Sequence, residues 1–318
     1  MKKDHYVLGI DVGGTTVKCG LFDYTGEMTK TWEIPTRKED GGKNILPDIA
    51  TSVKKSLAEE GIDLSAVEGA GVVVPGPVVH ERFVPRCVNI NWGPTEVADD
   101  LSALLEGIPV KAANDATAAA IGEHWKGGGR GYNSLMLFTL GTGVGGGIIL
   151  DGKPWGGAHG TGGEVGHTTV KRGETVQCTC GRYGCLEQYA SATGLVRTAK
   201  EMLKKSDVPS VLRGQEEKMN AKIIMDAAAA GDEIAIDARE RMCKYLALAM
   251  GTMASTLDPE CFVLGGGVSR AGEILIERIR YYYPRYTFGK PEEVEFRLAT
   301  LGNDAGMVGA AKLVFGEA

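Results

Sequence analysis

Residues 5–23 read HYVLGIDVGGTTVKCGLFD, and residues 135–151 read LMLFTLGTGVGGGIILD. Each holds an apolar run, a small-residue turn, a second apolar run and then an aspartate, Asp23 or Asp151. Short apolar runs punctuated by glycine read as strands, so both stretches predict tight hairpins. The first pairs His5–Ile10 with Val17–Phe22, and the second pairs Leu135–Leu140 with Gly147–Leu150. Recurrence of one such unit far along a chain signals internal duplication. Ser134–Leu150 carries no charge and is long enough to be mistaken for a membrane span. The glycines within 141–147 favour the hairpin instead.

Outward from these hairpins the chain reads as α/β. Met28–Ile34, Val67–Val74, Pro109–Ala113, Cys261–Leu264 and Val294–Thr300 are further strands. Asn44–Glu60, Glu96–Leu105, Ala116–Trp125, Leu195–Lys204, Ala221–Ala230, Glu233–Leu257 and Asp304–Phe315 have helical spacing. Met242, Leu246, Met250, Met253 and Leu257 recur on one face of the longest helix, the pattern of a core stripe. Two similar domains, each offering a glycine hairpin to a shared cleft, is the layout of the actin-like (ribonuclease H-like) two-domain ATPase folds. The boundary is expected near Asn114-Asp115. That gives a smaller domain of 1–113 completed by 302–318, and a larger one of 114–301.

The 318 residues suffice for two domains with an ample core. A net charge of −6 without any dense Lys/Arg cluster makes nucleic acid and anionic membrane poor partners. Glycine, at 46 residues, is about twice its usual ~7% share and is clustered, which points to sites built from backbone. The N-terminus shows no apolar signal region. Seven cysteines, three of them in one knot, fit a reducing cytoplasm and a metal site better than a disulfide framework. Cys19, Cys87, Cys243 and Cys261 sit in apolar runs and read as core.

The knot is His167, Cys178, Cys180 and Cys185, spaced H-x10-C-x-C-x4-C. Three thiolates and an imidazole fill the tetrahedral shell of Zn²⁺, so the ion is expected to be structural. Glu164 and Glu187 flank it, and with His167 they could cage the hydroxyls of a sugar; solvated surface charge is the plain alternative. His167 could use one ring nitrogen on zinc and the other toward substrate. In Asp11-Val12-Gly13-Gly14-Thr15-Thr16, backbone N–H groups and two hydroxyls could wrap a phosphate, and Asp11 could hold hydrated Mg²⁺. Gly141-Thr142-Gly143-Val144-Gly145-Gly146-Gly147 repeats the device, and Gly265-Gly266-Gly267 could admit a base or ribose. Asn114-Asp115 ends a strand, where α/β sheets place ligands. Its carboxylate could take the proton of an attacking hydroxyl, or the pair could simply cap the next helix.

Together Asp11-x-Gly-Gly-Thr15, Asn114-Asp115, Gly141-Thr142-Gly143-x-Gly-Gly-Gly147, Glu164-x-Gly-His167 and Cys178-x-Cys180…Cys185-Leu-Glu187 resemble the ROK family (repressors, open reading frames and sugar kinases) over nearly the whole chain. The resemblance implies an actin-like ATP-dependent kinase, homodimeric, with glucose the expected acceptor. It implies that Asp115 is the general base, and that Gly76, Asn89, Asn114, Glu164, His167 and Glu187 contact sugar. Thr15, Thr16, Lys18, Gly141, Thr142 and Gly143 would then face the nucleotide phosphates. Gly162 stands where the family commonly has alanine. Rival acceptors are N-acetylmannosamine, N-acetylglucosamine, fructose and allose. A polyphosphate donor fits less well, since such relatives tend to lack the knot. A non-catalytic sugar-responsive regulator is the rival of another class; the ten residues before Asp11 are too few for a DNA-binding domain.

Overall fold

The computed structural model describes residues 4–316 and holds two five-stranded mixed sheets. The first is ordered β3-β2-β1-β4-β5 from β1 (Tyr6–Val12), β2 (Thr16–Phe22), β3 (Met28–Pro35), β4 (Val67–Val74) and β5 (Val110–Asn114). The second is ordered β10-β9-β6-β7-β8 from β6 (Leu135–Leu140), β7 (Val144–Leu150), β8 (Lys153–Pro154), β9 (Cys261–Gly265) and β10 (Glu295–Leu298). In each, a three-strand antiparallel meander continues into two parallel strands. The pairing is the same strand for strand, so the duplication expected from the two hairpins is a duplication of whole sheets. Central strands are covered on both faces and read as continuous apolar runs, as in β4, β6 and β9. The edge strand β3 alternates between partly and fully exposed positions.

Helices fill the faces. They are the single turn α1 (Glu39–Gly42), α2 (Ile45–Glu59), α3 (Val97–Leu104), α4 (Asp115–Lys126), the single turn α5 (Glu187–Ala190), α6 (Ala192–Lys205), α7 (Ala221–Ala229), α8 (Glu233–Leu257), α9 (Glu273–Tyr282) and α10 (Ala305–Phe315). The methionine stripe of α8 lies where its spacing predicts, with Met242, Leu246 and Met250 buried in the core of the second sheet. Cys19, Cys87, Cys243 and Cys261 are buried and unpaired, as their apolar surroundings imply.

Two differences from the sequence reading have physical causes. β7 begins at Val144 rather than Gly147, so Gly145–Gly147 belong to the strand and the turn is only 141–143. A side chain at Gly147 would strike Ala116 O and Ala120 Cβ of α4, so this glycine lets helix and strand touch. The last strand ends at Leu298, where the chain turns toward α10.

The helices α4 and α10 pack on one another between the two sheets, α4 also against β7 and α10 also against β1 and β4. At Gly309 a Cβ would land inside the van der Waals shell of Ala118 O, so the backbones meet directly. In an isolated helix Gly→Ala stabilises by about 1 kcal/mol. Here overpacking should prevail, typically by about 1–3 kcal/mol. Gly309→Ala is therefore expected to lower stability by about 2 kcal/mol in urea denaturation; an unchanged or raised midpoint would refute the direct contact.

Candidate functional site

A cleft of about 880 Å³ opens between the sheets. Its floor is the start of α4. Asn114 ends β5 and caps the helix: its Oδ1 accepts from Ala116 N–H at 3.0 Å and Thr117 N–H at 3.2 Å. Its Nδ2 donates to Gly76 O at 3.1 Å. The capping role thus falls to Asn114, and its side chain is largely committed to scaffold. That leaves Asp115 in the first turn. Its Oδ1 accepts from Ala116 N–H at 2.8 Å. Asp115 is open to the cleft mouth and hemmed in by protein elsewhere. Burial, and then the negative charge of Glu164, raise its pKa above the ordinary carboxylate value, against the hydrogen bonds from Ala116 and Asn114.

Asp11, near the end of β1, lines the same cleft. Its carboxyl is pushed up to about 6 by burial and then by the charge of Asp115, with Lys18 opposing. Lys18 is its cross-strand neighbour on β2 and forms an ion pair with Glu33 at 3.8 Å. The opposite wall is the loop that carries the His-Cys knot. The donor atoms of His167, Cys178, Cys180 and Cys185 all lie within 4.8 Å of one another. Cys178 Sγ is 3.8 Å from His167 Nδ1, and Cys180 Sγ is 3.6 Å from Cys185 Sγ. Zn–S bonds of about 2.3 Å give a tetrahedral edge of roughly 3.8 Å, so donor chemistry and spacing both fit zinc. Gly184 makes the loop possible, with φ of +73° and no room for a side chain against Lys171 O. His167 Nε2 lies 4.0 Å from Glu164 Oε2, so the ring presents its second nitrogen away from the knot.

Glu187 joins this loop to the glycine turn. Its Oε2 accepts from Val144 N–H at 3.1 Å, and its Oε1 from the Thr179 hydroxyl at 3.3 Å. A side chain at Gly143 would collide with Glu187 Oε2.

The structure therefore brings Asp11, Lys18, Gly76, Asn89, Asn114, Asp115, Gly141, Thr142, Gly143, Glu164, His167, Glu187 and Gly266 to one cleft. Gly13, Gly14, Thr15, Thr16, Gly265 and Gly267 are not among its lining residues. Two amides expected to serve as phosphate donors close their own turns instead: Gly13 N–H on Thr16 O and Gly141 N–H on Gly143 O, both at 3.0 Å. The sequence reading missed Pro75, Ala116, Thr139, Gly302, Asn303 and Gly306 as lining residues. The small, polar run Gly302-Asn303-Asp304 before a helix was a usable signal. Its nearness to Asp11 is tertiary: a Cβ at Gly306 would lie 2.6 Å from Asp11 Oδ2.

Two sheets of identical pairing, with an acidic cleft between them, define an actin-like α/β fold built to hold a ligand between its lobes. The chain belongs to the ROK family, whose model matches residues 7–317. It is 40% identical over 315 residues to a glucokinase of Halalkalibacterium halodurans, spanning 98% of this chain and 95% of that protein. It is 30% identical to an N-acetyl-D-glucosamine kinase of Haemophilus influenzae, over 96% of this chain and 98% of that protein. Among solved structures, a ROK family glucokinase from Streptomyces griseus in complex with glucose and AMPPNP matches with a TM-score of 0.76 at 35% identity. That match covers 97% of this chain and 98% of the other.

Asp11 binds its proton more tightly in the folded than in the unfolded chain. That contribution to stability is complete below the ordinary value of 3.8 and is lost as pH rises through about 6. Asp11→Asn removes the strained charge. Each tenfold difference in proton affinity between folded and unfolded chain is worth about 1.36 kcal/mol. Without ligand or divalent cation the variant should therefore be more stable than the parent at pH 8 by up to about 3 kcal/mol, and no more stable at pH 3. Urea denaturation at both pH values measures this; equal stabilities at pH 8 would contradict it.

Proposed function

We propose that this chain is an ATP-dependent glucokinase, transferring the γ-phosphoryl group of ATP to the 6-hydroxyl of glucose to give glucose 6-phosphate and ADP. The carrying observation is Asp115, a carboxylate at the cleft floor in the first turn of α4, lining the same cleft as Asp11 and the Glu164–His167–Glu187 wall. The likeness to glucokinases along nearly the whole chain supports the same reading.

In this mechanism Glu164, His167 and Glu187 bind sugar hydroxyls from one wall, with Gly76 and Asn89 on the other side. Asp115 accepts the proton of the 6-hydroxyl as that oxygen attacks phosphorus. Asn114 holds the first turn of α4, and so fixes the direction of Asp115. Gly141–Gly143, Thr142 and Lys18 flank the phosphates and Gly266 the nucleoside, while Gly13, Gly14, Thr15, Thr16, Gly265 and Gly267, outside the lining of the open cleft, would meet the nucleotide only as the lobes close. Asp11, destabilised as an anion by Asp115, is a fitting neighbour for Mg²⁺. The metal, when bound, would offset charge on the transferring phosphoryl group. Zinc held by His167, Cys178, Cys180 and Cys185 would supply no chemistry beyond fixing the loop. The lobes, divided as 1–113 with 302–318 and 114–301, close over both substrates and exclude the water that would compete with the sugar.

ADP release measured with Mg-ATP across glucose, N-acetylglucosamine, N-acetylmannosamine, fructose and allose tests the reading, with glucose expected to give the highest kcat/KM. Asp115→Asn should lose about 10²–10⁴-fold in kcat. Since the base works only when deprotonated, parental kcat/KM should rise with pH, with a midpoint above the ordinary carboxylate value. Near-normal turnover by the variant, or sugar binding without ADP release by the parent, would sink the assignment.

Zinc removal gives a second test. Chelation should release one zinc per chain by atomic absorption, lower the unfolding midpoint and raise KM for glucose more than KM for ATP. Confirmed metal loss with an unaltered glucose KM would end the proposed role of the loop.

A further inference from the structure

Glu123 lies two turns along α4 from Asp115 and is only 1% exposed. Its carboxylate accepts from three backbone amides. Oε2 takes Gly128 N–H at 2.7 Å and Thr300 N–H at 3.0 Å; Oε1 takes Thr300 N–H at 3.1 Å and Leu301 N–H at 2.9 Å. Among the described residues the chain passes between the two sheets twice, from β5 through α4 to β6, and from β10 to α10. Gly128 belongs to the first passage, and Thr300 and Leu301 to the second. One buried carboxylate thus ties both connections together.

The surroundings are built for it. A Cβ on Gly127 would collide with Glu123 Oε2, and one on Gly128 with Leu298 O, so this stretch approaches the carboxylate and the second passage at backbone distance. A buried carboxylate is tolerated only when its oxygens are hydrogen-bonded, and charge-assisted bonds to amides are the strong kind. Because the donors are main-chain groups, the carboxylate fixes the path of the backbone itself. Leu301 is followed by Gly302 and Asn303, which line the cleft, while the same helix begins with Asp115. Glu123 therefore stands between two parts of the cleft that come from different passages.

We propose that Glu123 is a positioning residue that pins the hinge about which the two sheets close, keeping Asp115 in register with Gly302–Asn303. The functional half of this inference rests on the phosphoryl-transfer reading above. A loosened pin would let the lobes close out of register, and misplacement of about 1 Å costs on the order of 10²-fold in rate. Glu123→Gln keeps the shape but turns one acceptor into a donor facing an N–H.

The test is amide hydrogen exchange on the full chain together with steady-state kinetics. In Glu123→Gln, the amides of Gly128, Thr300 and Leu301 should exchange about ten-fold faster or more, while those of β4 and β9 keep their protection. kcat should fall by about 10–100-fold with KM for ATP and bound zinc unchanged. Gly127→Ala, which displaces the carboxylate without altering its charge, should reproduce both effects and serves if the glutamine variant fails to fold. Unchanged exchange at the three amides would overturn the pin. Faster exchange with unchanged kcat would overturn its link to catalysis. If the parent phosphorylates no sugar, the functional reading fails, and the pin is still decided by exchange alone.

Discussion

The helices α4 and α10 meet with main chain against main chain at Gly309 and Ala118, and this contact sets where the two sheets stand. Neither sheet shares a strand with the other. What joins them is a pair of packed helices, each resting on a different sheet: α4 on β7, α10 on β1 and β4. A mixed core in which Val73 and Ala113 of the first sheet and Leu137 and Val263 of the second gather around Ala118, Ile121 and Ala310 follows from that geometry. Small residues at the contact leave little freedom to slide, because packed interiors resist both voids and overfilling. Asp115, at the start of α4, is thereby held at a fixed depth relative to Asp11 on β1.

That depth creates an electrostatic problem with a chemical use. The charge of Asp115 raises the affinity of Asp11 for its proton, and Glu164 does the same at Asp115. Four carboxylates around one cleft (Asp11, Asp115, Glu164 and Glu187), with Lys18 as the cationic side chain among the lining residues apart from the imidazole of His167, make a site that welcomes protons or cations. A divalent ion arriving with a nucleotide would relieve this repulsion. A carboxylate whose pKa lies above the usual value is also a better proton acceptor once ionised.

Much of this is legible in the sequence because the signals are local. The paired hairpins, the strands at Val67–Val74 and Cys261–Gly265, the α8 methionine stripe and the His-Cys knot each follow from spacing within a few turns. The errors lie where one residue type serves two purposes. Glycines 145–147 resemble a phosphate loop and are strand positions, Gly145 and Gly147 pressed toward α4 and Gly146 against Gly163 and Val165, a reason that exists only in the folded molecule. Gly13 and Gly141 suggest free amide donors, yet a turn has its own hydrogen bond to close. Glu123 is invisible because nothing in a helical Glu announces amides arriving from position 300. Asn114 suits either cap or ligand by residue type, and geometry favours the cap without removing the residue from the cleft.

Glu187 carries a consequence for protein engineering. Its two oxygens are divided between Thr179 of the metal loop and Val144 of the glycine turn, and Gly143 must lack a side chain to accommodate it. Loop grafting is a natural route to altered acceptor preference among related kinases, and residues 164–187 look like a self-contained cassette stapled by its own ligands. They are not modular. A transplanted loop brings a carboxylate that must find an amide on the recipient's hairpin, so the transferable unit includes residues 141–144 as well.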